Sequence, residues 1–169
     1  MESSWVTIRE VTRENWRAAL ALGVAPEQQR FIADYAPIAA IGLAKAYIRP
    51  GGLIWQPYAF FTSASPVASA TPDVAGAMVG FTMVAYASER AGDAWIFHFF
   101  IDQRFQGQGY GTLALHALIT HIRERLPQCR AIHLTVHPEN ARAQRLYLRA
   151  GFRPTGELID GEPRYTHNL

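Results

Sequence analysis

Three glycines carry the first chemical signal in this sequence. Gly107, Gly109 and Gly111 alternate through Arg104-Phe105-Gln106-Gly107-Gln108-Gly109-Tyr110-Gly111-Thr112. Glycine lets the backbone turn tightly and come close to a ligand, and the amides that open a helix have no partners within it. With the positive end of the helix dipole behind them, such amides form a phosphate site. A Walker-type loop needs Lys and then Ser or Thr after its last glycine, whereas Gly111 is followed directly by Thr112. A dinucleotide fingerprint needs G-x-G-x-x-G, and the glycines here have a different spacing. The strand after the helix also ends in Val136-His137, with no acidic residue to take a ribose. A pyrophosphate cradle of a third kind remains.

His98, in the segment that leads into this loop, changes charge close to neutral pH. It is either a base or a hydrogen-bonded core histidine among aromatics. Asp93 and Glu89, where the same segment begins, are alternative proton acceptors. His133 and His137 point the same way on a strand but about 13 Å apart, too far for one metal ion. His116 and His121 are five apart on a helix and do not share a face closely. No metal site is expected. Cys129 is the only cysteine, so no internal disulfide can form, and it lacks the basic setting of a nucleophile.

The elements that must position these groups follow from periodicity. Trp95 to Asp102 (WIFHFFID) is aromatic and β-branched and predicts a buried strand. Leu115, Leu118, Ile119, Ile122 and Leu126 recur every three or four residues, so the glycines open an amphipathic helix that Pro127 ends. Upstream, Trp5 to Val11 alternates as a first strand, and Thr12 can cap a short helix carrying Trp16, Leu20 and Leu22. Glu27 to Ile32 predicts another helical turn, and Pro37 to Ile48 a helix with Pro37 at its first position. Leu53 to Phe61 and Ala77 to Ala87 read as an antiparallel pair around a Ser-, Ala- and Pro-rich loop, Thr62 to Gly76, expected to be exposed and poorly ordered. Downstream, Ala131 to Val136 alternates as a strand and Asn140 can cap the helix ARAQRLYLRA. Gly151 sits where a left-handed cap belongs, and Asp160-Gly161 turns between two final strands. Two strand-helix-strand crossovers in this half imply a sheet that is parallel in part.

With 169 residues, 49% apolar and 18% charged, the chain suits one domain over residues 1–169. A net charge of +2 without blocks of like charge predicts no nucleic-acid partner and no polybasic membrane patch. The opening MESSWVTIREV lacks a signal peptide's basic and apolar runs, and no segment has the eighteen or so apolar residues of a membrane span. Together with the single cysteine, this leads to an expected cytoplasmic location.

Arg104-Phe105-Gln106-Gly107-Gln108-Gly109 resembles the Q/R-x-x-G-x-G/A signature of the GNAT superfamily of N-acetyltransferases, and Gln106 to Gly111 fits it a second time. Val136, Asn140, Ala143, Tyr147, Gly151 and Phe152 are similar to the family's second signature, V-x-x-x-N-x-x-A-x-x-x-Y-x-x-x-G-F, one helix and one strand further on. Within the family, FHFFIDQRFQGQGYG and GFRPTGELIDGE resemble the bacterial spermine/spermidine (diamine) acetyltransferase group, with His98 where an arginine is expected. The resemblance implies an α/β fold with a central, partly parallel, twisted sheet of about seven strands flanked by helices. It also implies acetyl-CoA as cofactor and transfer of its acetyl group to a small-molecule amine in a ternary complex, and it is compatible with a homodimer.

The same resemblance assigns roles. Main-chain groups at Phe100 and Ile101 would pair with the pantetheine arm, and the amides from Gln106 to Gly111, with Arg104 and Thr112 beside them, would hold the pyrophosphate. Asn140 would contact the cofactor as well as cap its helix. Tyr147 becomes the general acid that protonates the departing thiolate, although its helical face alone describes an ordinary core tyrosine. His98 is the candidate base. A polyamine would also call for carboxylates along its channel, for which Asp34, Glu157, Asp160 and Glu162 are candidates. Other acceptors (an antibiotic, an amino acid, a protein N-terminus) and a coenzyme A sensor without turnover remain as alternatives.

Overall fold

The computed structural model describes residues 6–62, 76–87 and 92–169, and its central strand has two unlike edges. β4 (Asp93–Ile101) pairs antiparallel with β3 (Met78–Tyr86) from end to end. On its other edge it pairs in parallel with β5 (Ala131–Thr135), but only through Asp93, Ala94 and Trp95. Past that point the strands part, and Ile96–Ile101 and Leu134–Val136 face one cavity. β4 also carries a bulge: between Phe97 and Phe100 it sets two residues, His98 and Phe99, against the single Thr82 of β3. His98 adopts φ 52°, a left-handed conformation uncommon for any residue but glycine.

The sheet is completed by β1 (Val6–Glu10), β2 (Ile54–Thr62), β6 (Arg153–Ile159) and β7 (Glu162–Asn168), in the order β1-β2-β3-β4-β5-β7-β6. Strand alternation sends apolar side chains to both faces, and each face has its own helices. On one, α4 (Tyr110–Arg125) buries Leu115, Leu118, Ile119 and Ile122 with Phe60, Val84 and Ile132. On the other, α1 (Trp16–Leu20) and α3 (Ile38–Ile48) bury Ala19, Ile38 and Ala39 with Phe81, Met83 and Phe100. α3 lies so close to β3 that a Cβ on Gly42 would stand 2.6 Å from Phe81 Cζ and 2.9 Å from Met83 Sδ.

Most expected elements appear within a residue or two of their predicted limits. Two details differ. Only the crossover through α4 joins neighbouring parallel strands. After α5 (Ala141–Arg149) the chain enters β6 at the sheet's edge, and the Asp160-Gly161 turn, with φ 51° and 83°, folds β7 back between β6 and β5. Antiparallel β7 therefore takes the edge of β5 that a second parallel strand would have used.

The first helix also starts later than Thr12 suggests. Thr12 N–H donates to Asn15 Oδ1 at 2.8 Å, and the amides of Asn15 and Trp16 both donate to the Thr12 carbonyl. Thr12 Oγ1 also accepts the Glu14 amide at 3.3 Å, so Thr12 caps a first turn as expected, and the regular helix α1 follows it at Trp16 and ends before Leu22. Trp5, the segment 63–75 and Glu89 lie outside the described residues, so the expectations placed on them are neither met nor refuted.

Candidate active site

At the end of β4 the glycine loop is anchored by a carboxylate that sequence reasoning did not single out. Asp102 is 2% exposed and accepts the Gly23 amide at 2.9 Å, the Arg104 amide at 3.0 Å and Arg104 Nε at 2.7 Å. Burial alone would raise its pKa, but the Arg104 and Gly23 hydrogen bonds outweigh that and hold it below the usual carboxylate range. An Asp closing a strand two residues before an Arg was the available signal. It is a capping pattern, and Asp102 caps the short 3₁₀ turn Gln103–Phe105.

Gly107 and Gly109 then take φ 78° and 87°. A methyl group on either would meet no protein atom within 4 Å, so glycine is required here by backbone conformation. No side chain caps α4, and the amides of Gly107 through Gly111 have no protein partner among the described residues. Five unpaired N–H groups at the head of a sixteen-residue helix suit a pyrophosphate such as that of coenzyme A. Gln106 braces the loop: its Nε2 donates to the Ile101 carbonyl at 2.9 Å and to Gln28 Oε1 at 3.0 Å, while its Oε1 accepts from Gln28 and Arg142. One side chain thereby links β4, α2 (Pro26–Gln29) and α5.

The loop opens onto a cavity of about 1080 Å³ between the separated strands, large enough for a donor and an acceptor together. Of the expected loop residues, Gln106, Gly107, Gly109, Gly111 and Thr112 line it, as do Phe100 and Ile101 on β4. Arg104, Gln108 and Tyr110 do not. Arg104 is held by Asp102, Gln108 Nε2 donates to the Arg104 carbonyl at 3.3 Å, and Tyr110 sets its ring against Phe105 with centroids 6.3 Å apart.

Asn140 and Tyr147 reach the same cavity from α5. Asn140 caps that helix, its Oδ1 accepting the Ala143 amide at 3.1 Å. Tyr147 is 7% exposed, edge-on to Phe99 and Phe152. Burial, reinforced by the charge of Glu162, pushes its phenol pKa far up, so the hydroxyl keeps its proton throughout the neutral range. Gly151 ends the helix at φ 95°, where an added Cβ would also lie 3.0 Å from His167 Nδ1.

The bulge aims His98 into the cavity, between two partners. Its Nδ1 lies 2.9 Å from the Ile32 carbonyl, which can only accept, so Nδ1 carries the proton and Nε2 the lone pair. Lys45 Nζ, 3.0 Å away, donates to that Nε2. Burial, with a smaller contribution from the Lys45 charge, lowers the His98 pKa despite the opposing Ile32 hydrogen bond. Lys45 also stands over the rings of Trp55 at 4.9 Å and Phe97 at 5.3 Å, and burial lowers its own pKa. Sequence periodicity placed Lys45 on α3 and nothing more. The missed signal was compositional: Lys45 is the only lysine among sixteen lysines and arginines.

The expected carboxylates divide. Asp34, Asp160 and Glu162 line the cavity, whereas Glu157 pairs with Arg164 at 2.6 Å on the outer hairpin. Asp93 lies at the far end of β4, 3.1 Å from His133 Nε2, and does not reach the cavity. His137 packs on Phe31 with ring centroids 5.0 Å apart, and Arg30 meets Glu139 at 2.6 Å, so the segment after α2 bridges to the β5–α5 loop.

The chain is similar to known proteins. The family model described as "Acetyltransferase (GNAT) family" matches residues 45–152. The chain is 33% identical over 163 residues, 93% of its own length and 94% of the relative's, to a protein of Bacillus subtilis strain 168 named spermine/spermidine N(1)-acetyltransferase. Among solved structures, it matches the aminoglycoside acetyltransferase AAC(6')-Ib in complex with coenzyme A, with a TM-score of 0.69, 19% identity, and coverage of 96% of this chain and 94% of that one. It also matches the GNAT domain of S. lividans PAT, with a TM-score of 0.71, 18% identity, and coverage of 96% and 89%. At these identities the two structures speak to the fold: a mixed seven-stranded sheet flanked by helices.

Proposed function

The chain belongs to the GNAT acetyltransferase family and is an acetyl-CoA-dependent N-acetyltransferase; from that premise we propose that its acceptor is a primary amine of a polyamine. The observation that carries the substrate class is the set Asp34, Asp160 and Glu162. These carboxylates come from two distant segments, the α2–α3 connection and the β6–β7 hairpin, and line the cavity that the glycine loop and Tyr147 also line. A chain of ammonium groups needs such spaced counter-charges. The name of the Bacillus relative points to the same substrate class.

Acetyl-CoA supplies an activated acyl group on a thiol leaving group. The loop amides from Gly107 to Gly111 hold its pyrophosphate, and the open edge of β4 at Phe100 and Ile101 offers main-chain groups to its arm, as an added strand would. Tyr147 donates the proton that the leaving sulfur requires, and its raised pKa keeps that proton in place until then. His98, neutral and with its lone pair on Nε2, accepts a proton from the attacking amine once Lys45 gives way.

An amine panel with acetyl-CoA, followed by free-thiol release, tests the reading. Spermidine and spermine should turn over faster than aminoglycosides, free amino acids or peptides. Thiol release with one of those and not with spermidine would remove the polyamine assignment. Coenzyme binding without release on any amine would leave a sensor.

A further inference from the structure

Of the sixteen lysines and arginines in this sequence all but one are arginine, and the exception, Lys45, lines the cavity. Arginine keeps its charge and cannot act as an amine nucleophile, so the chain holds a single side-chain amine. Lys45 is half-buried, and among the described residues no carboxylate lies within ion-pair distance of it. Its Nζ contacts His98 Nε2 at 3.0 Å, and the Ile32 carbonyl fixes His98 in the tautomer whose Nε2 can take a proton. Among the described residues, the amine that the candidate base touches is thus Lys45.

We propose that Lys45 is itself an acetyl acceptor: when no substrate amine is bound, it takes the acetyl group of acetyl-CoA held in the same cavity, with His98 as base. This rests on the donor site described under Proposed function. Burial lowers the Lys45 pKa, and once neutral the amine has two hydrogens and a lone pair; donating one hydrogen to His98 leaves the lone pair free for attack. The Lys45 Nζ–acyl carbon bond forms, the carbon–sulfur bond breaks with its electron pair on sulfur, the nitrogen's surplus proton passes to His98 Nε2, and the thiolate takes one proton from Tyr147. The products are N6-acetyl-Lys45 and the free thiol, and His98 returns its proton to Tyr147 through solvent. The amide formed has no charge, fills part of the acceptor space and blocks His98. The protein silences itself when donor is plentiful and amine is scarce.

The test is to incubate the full chain with acetyl-CoA and no amine, weigh it intact and map its peptides. Lys45 should gain one acetyl group, on the order of a hundredfold faster in the folded chain than in urea, as general-base assistance allows. Spermidine should slow the labelling, Lys45→Arg should abolish it, and His98→Ala should slow it with the fold checked by circular dichroism. A readout free of coenzyme is trace labelling with acetic anhydride, in which Lys45 should react faster in the folded chain than in urea. Equal or slower reaction in the folded chain overturns the proposal, in either experiment. Thiol release with an amine but no label on Lys45 overturns this proposal alone. Failure to bind acetyl-CoA overturns the reading of the donor site along with it.

Discussion

Asp102 accepts the backbone amide of Gly23 at 2.9 Å, across 79 residues of sequence, while the same carboxylate grips Arg104. The glycine loop is therefore fastened at its root to the segment that runs between α1 and α2. Asp102→Asn keeps the shape but removes the charge that strengthens three hydrogen bonds. It should cost about 1–3 kcal/mol in stability and raise the KM for acetyl-CoA more than it lowers kcat. Urea melts and initial-rate kinetics check this; an unchanged KM would mean that the anchor does not set the loop's geometry.

Removing the Tyr147 hydroxyl separates chemistry from binding. Tyr147→Phe keeps the ring against Phe99 and Phe152 but takes away the proton. Turnover should fall by about 10²–10⁴-fold, the usual range for a positioned acid, with the calorimetric affinity for coenzyme A unchanged. Equal turnover by the mutant would take the phenol out of the reaction and leave a core tyrosine.

Acid should loosen the fold through its histidines. His98, His121 and His167 all have folded pKa values below 6.5, chiefly because burial disfavours their charged forms. The unfolded chain then binds more protons in the window between each folded value and 6.5, so stability rises with pH through that window. It is fully present above 6.5 and lost as pH falls through and below it. Asp102, held low, adds a further loss at more acidic pH. Thermal melts at pH 8, 6.5 and 5 should show Tm falling stepwise, and a Tm independent of pH would contradict the buried, neutral state of these rings.

Gly42→Ala tests the close contact of α3 with β3. The added methyl collides with the side chains of Phe81 and Met83, so these or the helix must shift, at about 1–3 kcal/mol. Because α3 carries Lys45, the Lys45–His98 contact should change as well, visible in the His98 imidazole NMR signals. A gain in stability, as alanine gives in an unhindered helix, would show that the face is looser than described.

Patterns that live within one element were legible in the sequence. The alternation of β4, the stripe of α4, the Asn140 cap and the Asp160-Gly161 turn each depend on neighbours a few residues away. What stayed hidden depends on distant partners. Asp102 reads as the end of a strand until Gly23 is seen beside it. Lys45 reads as one helical lysine until the bulge turns His98 toward it. The place of β7 follows from competition for the free edge of β5, which no local pattern records. Thr12 was legible as a cap, but not the turn that it closes before the regular helix begins at Trp16.

The position of β7 governs how the molecule is put together. A segment late in the chain occupies an interior place in the sheet, with β5 on one side and β6 on the other. Until it docks, β5 presents a bare hydrogen-bonding edge and Tyr165 has no core to enter. The glycine loop and α4 precede all of this in the chain, but Asp160 and Glu162 arrive only with the hairpin. During biosynthesis the carboxylate wall of the cavity is therefore finished last, and a chain stalled before residue 162 would hold its glycine loop beside an unfinished, adhesive sheet.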